Sequence, residues 1–389
     1  MRRLSALLLL TVVASAVSAQ TAYTRFGLAD RIEAITGASA FHGALWGIYV
    51  EDLDAERVLY ERNAYAPMMP ASNMKLVTTA AALDALGPGF RYQTRLYLDG
   101  PLAYGTLSGD LVVRGSGDPS FIGRALDLRS VFSAWADSLH DAGVRNVMGT
   151  IRMDDDVMDN PSTRFVRTLR SAIRERGITV HGDGVDEYPP GVRPEYEAMR
   201  PVASYRSPPL AGFVGRTNTE SDNAYAERIL RTLAAFVYPS PGPVRPGLRR
   251  RAANPMLERF GVDPRDVVVA DGSGLSRDNR LTAVGIVGLL RGMHRHPDAS
   301  TRDAFVRSLP LGGFTGTLGR RYGSGDARGN VRAKTGYISG VRTLSGYITN
   351  SRGHTVAFSI LCNGYSTRTR TVSRAQDQIV ELLADYAGM

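Results

Sequence analysis

The sequence predicts an α/β chain of the α+β type, with one antiparallel sheet covered by helices and a smaller α/β module inserted into it. Three observations carry this. Strand-like runs at 45–53 and 58–63, around the turn Asp54-Ala55-Glu56, read as an early hairpin. Three more such runs, at 331–338, 343–349 and 354–362, lie near the C-terminus, the last two separated by Asn350-Ser351-Arg352-Gly353. Between these groups, from 91 to about 202, the texture changes to short strands mixed with helical runs. A chain of 389 residues, 43% of them apolar, is long enough for more than one packed core.

The elements follow in order. Residues 24–36 have helical character. Residues 74–86 form a strong helix candidate, stopped by Gly87-Pro88-Gly89. Within the inserted stretch, 94–98, 109–114 and 149–153 read as strands, and 130–142 and 162–176 as helices. A helix is expected at 222–236, then a Pro/Gly-rich loop at 239–247, a helix at 252–260, a short strand at 267–270 and a helix at 282–294. After the late strands, 374–386 closes the chain as a helix. The expected division is a leader at 1–19, a main domain from 20–90 and 203–389, and an insertion at 91–202. No fixed-period repeat is visible.

The leader is expected from Arg2 and Arg3, the apolar run 7–13 and the small residues Val17-Ser18-Ala19. Cleavage after Ala19 would send the chain to the periplasm or another exported location. The apolar run is too short to span a bilayer, and no later segment approaches 18 apolar residues, so no membrane anchor is expected. Cys362 is the single cysteine, so no internal disulfide can form, and its apolar run predicts a buried thiol. The formal net charge is +9, but the tightest basic cluster is Arg249-Arg250-Arg251 in a loop-like stretch. Nucleic-acid binding is therefore not expected. The six histidines are scattered and form no His-Glu-x-x-His, so no metal site is expected; His294 and His296 read as solvated residues near a helix end. Asp154-Asp155-Asp156 reads as a solvated or recognition loop. No Walker lysine follows the glycine-rich turns, and no cofactor is implied.

Of 47 basic residues only two are lysine, Lys75 and Lys334. Each sits in a motif with chemical meaning. In Ser72-Asn73-Met74-Lys75 a spacing of three puts Ser72 and Lys75 on one helix face. A serine needs a neighbouring base to become a nucleophile, and a lysine can serve once its pKa is pushed down. Arginine is effectively never deprotonated, so it cannot replace Lys75. Ser72 at a helix N-terminus also offers backbone N–H donors to a reacting carbonyl. Ser221-Asp222-Asn223 stands at a loop-to-helix junction. There Ser221 could relay a proton and Asn223 could hold Lys75 and a substrate amide. An ordinary helix cap explains that motif equally well. In Lys334-Thr335-Gly336, on an edge strand, Lys334 and Thr335 could bind a carboxylate while Gly336 leaves room for a peptide. The N–H groups of Ser72 and Tyr337 could form an oxyanion hole.

Together these stretches resemble the D-alanyl-D-alanine carboxypeptidases of the type-4 penicillin-binding protein family, peptidase family S13. The resemblance rests on Pro70-Ala71-Ser72-Asn73-Met74-Lys75-Leu76, on Gly109-Asp110-Leu111 with Gly115-Ser116-Gly117-Asp118-Pro119, and on Asp271-Gly272-Ser273-Gly274-Leu275-Ser276-Arg277. Leu309-Pro310-Leu311-Gly312-Gly313 with Gly316-Thr317-Leu318, and Ala333-Lys334-Thr335-Gly336, complete it. It covers nearly the whole chain after the leader.

The resemblance implies a serine β-lactamase/transpeptidase-like domain. It implies release of terminal D-alanine from peptidoglycan stem peptides through an acyl-enzyme, with cleavage of cross-links in some members and covalent inhibition by β-lactams. It also implies that Ser273, Leu275 and Arg277 help form a pocket for the end of the substrate side chain. Two departures stand out. The interval from Ser72 to Ser221 is short for the family, so a further nested module near 160 is expected to be missing or vestigial, and Tyr337 stands where Thr or Ser is commoner. Two rival readings remain: a β-lactamase on the same fold, although no Glu-x-x-Leu-Asn supplies a second base, and a non-catalytic peptidoglycan-binding protein.

Overall fold

The structure, a computed structural model, describes residues 27–121, 127–154, 163–183, 185–187, 194–239 and 245–387. The expected leader, Asp155, Asp156 and the junction at Asn160-Pro161 lie outside them. In chain order, helix α1 (Leu28–Thr36) precedes the hairpin β1 (Leu45–Asp52) and β2 (Arg57–Arg62), and helix α2 (Met74–Leu86) follows. Next come β3 (Gln93–Asp99), β4 (Asp110–Arg114), α3 (Leu128–Asp141), β5 (Ile151–Asp154), α4 (Thr163–Glu175), β6 (Val185–Glu187) and β7 (Arg200–Arg206). Helices α5 (Leu210–Thr219), α6 (Asn223–Val237), α7 (Ala283–His294) and α8 (Ala299–Ser308) precede β8 (Arg332–Ile338), β9 (Val341–Thr349), β10 (Thr355–Asn363) and α9 (Thr369–Ala384).

The predicted sheet forms from the two ends of the chain. Its order is β8-β9-β10-β1-β2, and every pairing is antiparallel. Strand β10 is central and buried along almost its whole length, as its unbroken run Val356–Cys362 requires. Cys362 is fully buried there, and burial pushes its thiol up to about 12. One face of the sheet packs on α1 and α9 through Ile32, Phe358, Val372 and Ile379. The other packs on α2, α5, α6 and α7 through Leu76, Val77, Phe213, Ile229, Val287 and Leu290.

Helix α2 is buried all round from Met74 to Leu83, and its polar members Lys75, Thr78 and Thr79 are each hydrogen-bonded there. Gly87, at φ 77°, ends it with its N–H on Leu83 O. Two helices, α5 and α8, and strands β6 and β7 are additions to the sequence reading. Helix α9 begins at Thr369 rather than at 374.

The middle of the chain builds a second sheet, β6-β5-β4-β3-β7, with a separate core under α3 and α4. In α4, Phe165, Val166, Leu169, Ala172 and Ile173 recur at three- and four-residue steps and are all buried. Asp154 ends β5 buried and accepts a hydrogen bond from the Tyr196 hydroxyl, not solvated as expected. Strand β7 pairs with β3 up to Arg206–Gln93, so this sheet continues beyond residue 202. Its two ends meet: Tyr92 N donates to Ser207 Oγ at 2.9 Å, Ser207 N to Tyr92 O at 3.0 Å, and Arg91 Nη1 to Ser207 O at 2.7 Å. His296 also departs from expectation, since its ring meets Asp84 Oδ1 at 3.1 Å in a nearly closed contact.

Candidate active site

Ser72 lies in a short 3-10 turn, Ala71–Asn73, that runs straight into α2. Ala71 reaches it at φ 46°, the left-handed region that disfavours a residue with a Cβ. Ser221, at the turn into α6, has φ 61°. Such backbone strain persists where surrounding contacts over-determine it, as they do here on both sides of one cleft. The turn is pinned from the sheet: Thr343 Oγ1 donates to Pro70 O at 2.8 Å, and Asn73 Nδ2 donates to Ser345 Oγ at 2.6 Å. Asn73 and Lys75 are fully buried, while Ser72 between them is half-buried.

Lys75 Nζ has three partners. It lies 3.1 Å from Ser72 Oγ, 2.7 Å from Asn223 Oδ1 and 2.6 Å from the carbonyl of Ser273. An ammonium has three N–H donors, so the charged form is saturated. Burial pushes its pKa down to about 8, while Glu227, Asp271 and Asp222 hold it up. Asn223 is the first residue of α6, whose N-cap is Asp222 through a bond from Tyr225 N at 3.2 Å. In Ser221-Asp222-Asn223 the middle residue caps the helix, and the outer two face the lysines.

Lys334 is fully buried on β8 and donates to Ser221 Oγ at 3.0 Å and to Thr335 O at 2.9 Å. Burial, and then the charges of Lys75 and Arg342, push its pKa well below the ordinary lysine range. Neither lysine has an ion-pair partner among the described residues. Thr335 Oγ1 donates to Thr317 Oγ1 at 2.8 Å, which places a second hydroxyl beside the strand. A Cβ on Gly336 would stand 2.8 Å from Pro70 O and 3.0 Å from Ser72 N, so only glycine lets β8 come this close to the nucleophile turn.

Strand β8 is an edge of its sheet. Ala333 N donates away from β9, to Pro310 O at 3.1 Å. Backbone alternation then turns the N–H groups of Thr335 and Tyr337 outward as well. The Tyr337 side chain is 54% exposed at the rim.

The loop 271–279 closes the other side. Asp271 accepts from Gly274 N and Ser276 N, both at 2.6 Å, and from Asn279 Nδ2 at 2.9 Å. Gly274, at φ 86°, touches the nucleophile turn so closely that a Cβ would collide with Ala71 O. Ser273 is buried and offers Lys75 its carbonyl. Leu275 and Arg277 are exposed, with Arg277 Nη2 on Ser339 O at 2.8 Å. Sequence reasoning missed Glu227 and Thr317 as site residues. The signal for Glu227 was its four-residue spacing from Asn223. Thr317 sat in a stretch noted for resemblance alone.

Comparison with known proteins adds four findings. The sequence pattern of the D-Ala-D-Ala carboxypeptidase 3 (S13) family matches residues 28–164 and 156–386. The chain is 27% identical to a D-alanyl-D-alanine carboxypeptidase of Actinomadura sp. (strain R39) over 477 aligned positions, covering 93% of this chain and 85% of the relative. Penicillin binding protein 4 from Haemophilus influenzae, solved with a β-lactam, shares its fold at TM-score 0.78 and 22% identity, covering 92% of this chain and 100% of that one. A predatory endopeptidase of Bdellovibrio bacteriovorus, acylated by penicillin G, does so at TM-score 0.59 and 17% identity, over 88% and 92% of the two chains.

Proposed function

The chain belongs to the D-Ala-D-Ala carboxypeptidase 3 (S13) family, and from that premise we propose that it releases terminal D-alanine from peptidoglycan stem peptides through an acyl-enzyme on Ser72. The observation that carries this reading is the trio of contacts around Lys75 Nζ. In the neutral amine two N–H groups donate to Asn223 Oδ1 and the Ser273 carbonyl. The lone pair is left facing Ser72 Oγ, 3.1 Å away. A pKa near 8 keeps a useful fraction of that amine neutral at physiological pH.

Ser72 Oγ attacks the D-Ala-D-Ala carbonyl as its proton passes to Lys75. The N–H groups of Ser72 and Tyr337 receive the oxyanion. The terminal carboxylate sits by Lys334, Thr335 and Thr317, where its charge favours the protonated form of the buried Lys334 amine. Ser221, held by Lys334, hands its proton to the departing amine and takes in exchange the one that Lys75 received, which returns Lys75 to the neutral amine. Water then attacks the ester, gives a proton to Lys75, and Lys75 passes it to the departing Ser72 Oγ. Asn223 holds Lys75 and the substrate amide; Leu275, Arg277 and Tyr337 form the rim. β-Lactams acylate the same serine. The same chemistry serves a D,D-peptide bond in a cross-link, the activity named for the endopeptidase neighbour.

Export to the periplasm, with cleavage after Ala19, is part of this reading. Among the described residues no helix is long and apolar enough to cross a membrane. The insertion is proposed to run from 91 to 206, which the hydrogen-bonded ends at Tyr92 and Ser207 support. The alignment with the Actinomadura relative spans 477 positions, more than this whole chain holds, in keeping with a nested module lost near 160.

The test is mass spectrometry of products from purified muropeptides, alongside labelled penicillin. Wild type should lose one alanine per stem and carry label on Ser72, and Ser72→Ala should do neither. Unchanged alanine release by Ser72→Ala would end the proposal. Penicillin turnover faster than turnover of every peptide substrate would favour the β-lactamase reading.

A further inference from the structure

Glu227 lies outside every motif, yet it sits behind the base. It follows Asn223 by four residues on α6, so both side chains leave the same helix face one turn apart. Asn223 meets Lys75 directly. Glu227 reaches the adjoining loop, where Oε1 accepts from Ser273 N at 2.8 Å and Oε2 from Gly272 N at 3.3 Å. The carbonyl of that same Ser273 is the acceptor 2.6 Å from Lys75 Nζ.

The loop has no slack. A Cβ on Gly272 would stand 2.8 Å from Ala226 O, and one on Gly274 would strike Ala71 O. Two convergent N–H groups call for an acceptor with two oxygens and no hydrogen, which is an ionised carboxylate.

We propose that Glu227 is a positioning residue that fixes the Ser273 carbonyl against Lys75 and sets the charge felt by that amine. The proposal rests on Lys75 being the base for Ser72. The charged groups acting on Lys75 are the carboxylates of Glu227, Asp271 and Asp222; Lys75 in turn depresses the buried Lys334, and Ser72 and Asn223 stand neutral beside it. Asp222 is paired with Arg216 at 3.0 Å, and Asp271 is occupied by Gly274, Ser276 and Asn279. After burial, Glu227 has the largest influence on the Lys75 proton, and it favours the charged form.

The sign follows. Removing the negative charge lets Lys75 lose its proton at lower pH. In Glu227→Gln the acid limb of Ser72 acylation against pH should move down by about half a unit or more. The plateau rate should fall about tenfold to a hundredfold, because the amide turns a donor toward one of the two N–H groups. Glu227→Asp keeps the charge but shortens the reach, so it should lower the plateau with the limb at its wild-type position.

The measurement is the rate of labelled-penicillin acylation of the full chain from about pH 5 to 10. An unmoved limb in Glu227→Gln overturns the proposal whatever the rate, since a merely structural role would lower the rate alone. A limb that moves equally in Glu227→Asp overturns it too. Absence of label on wild-type Ser72 would overturn the proposal and the reading beneath it together, which distinguishes the two failures.

Discussion

At the scale of single residues, the two lysines look alike in sequence and differ in surroundings. Burial loosens the Lys75 proton while three carboxylates hold it back, so it can leave and return near neutral pH. Lys75→Arg keeps a cation but removes the amine that can lose its proton, and Ser72 acylation should fall about 10²- to 10⁴-fold. Stopped-flow acylation checks this; a rate within threefold of wild type would dismiss Lys75 as base.

Lys334 has no such carboxylates, and burial with two neighbouring cations depresses its pKa well below the ordinary range. An arriving substrate carboxylate must push it back up. Binding of a D-Ala-D-Ala peptide to Ser72→Ala, at a pH above the free-state value, should therefore draw a proton in. Calorimetry in buffers of different ionisation enthalpy reads that uptake. A result of no uptake at any pH would remove Lys334 as the carboxylate seat.

At the scale of elements, the approach of β8 to the nucleophile turn is set by one missing methyl group. Gly336→Ala should leave the sheet folded but push the turn that carries Ser72 back from β8, and acylation should drop about a hundredfold. Equal rates for variant and wild type would mean the contact is slack. The elements that sequence alone revealed are those whose pattern matches their burial. Residues 74–86 read as a helix ended by Gly87-Pro88-Gly89, and the near-continuous apolar runs of β1 and β10 match strands buried on both faces of the sheet.

Helix α5 was missed because Gly212, Gly215 and three polar residues at its end weaken its local preference; its helix is stabilised by packing, with Asn218 Nδ2 on Ser308 Oγ at 2.8 Å and on Thr79 Oγ1 at 3.1 Å. The start of α9 was missed for a similar reason, since Thr369, Thr371 and Val372 favour strands. In the site, groups that act through side chains in motifs were legible. The Ser273 carbonyl was not, because a main-chain acceptor leaves no mark on residue type.

At the scale of the molecule, two sheets with separate cores share one chain through a narrow neck at Tyr92 and Ser207. Insertions with adjacent ends leave the host fold able to close without them. Replacing 93–206 by a short Gly/Ser linker should give a protein that still acylates with penicillin, with a lower melting temperature, because the Phe90, Tyr92 and Phe213 aromatic contacts at the neck lose cover. Labelled penicillin and thermal unfolding check both halves. An inert but folded product would show that the insertion shapes the catalytic cleft.

The edge of β8 also bears on how the protein stays dispersed. An uncovered strand edge normally invites a strand from another copy, and long flat edges seed aggregation. Here Pro310 and the Leu311–Arg332 bridge cover the first part of the strand, and Gly340 turns the chain away just past its end. The outward backbone groups of Thr335 and Tyr337 that remain suit a segment a few residues long. A docking line this short excludes a neighbour's full strand and still admits the tip of an extended peptide, so one truncation supports both colloidal stability and the choice of chain ends.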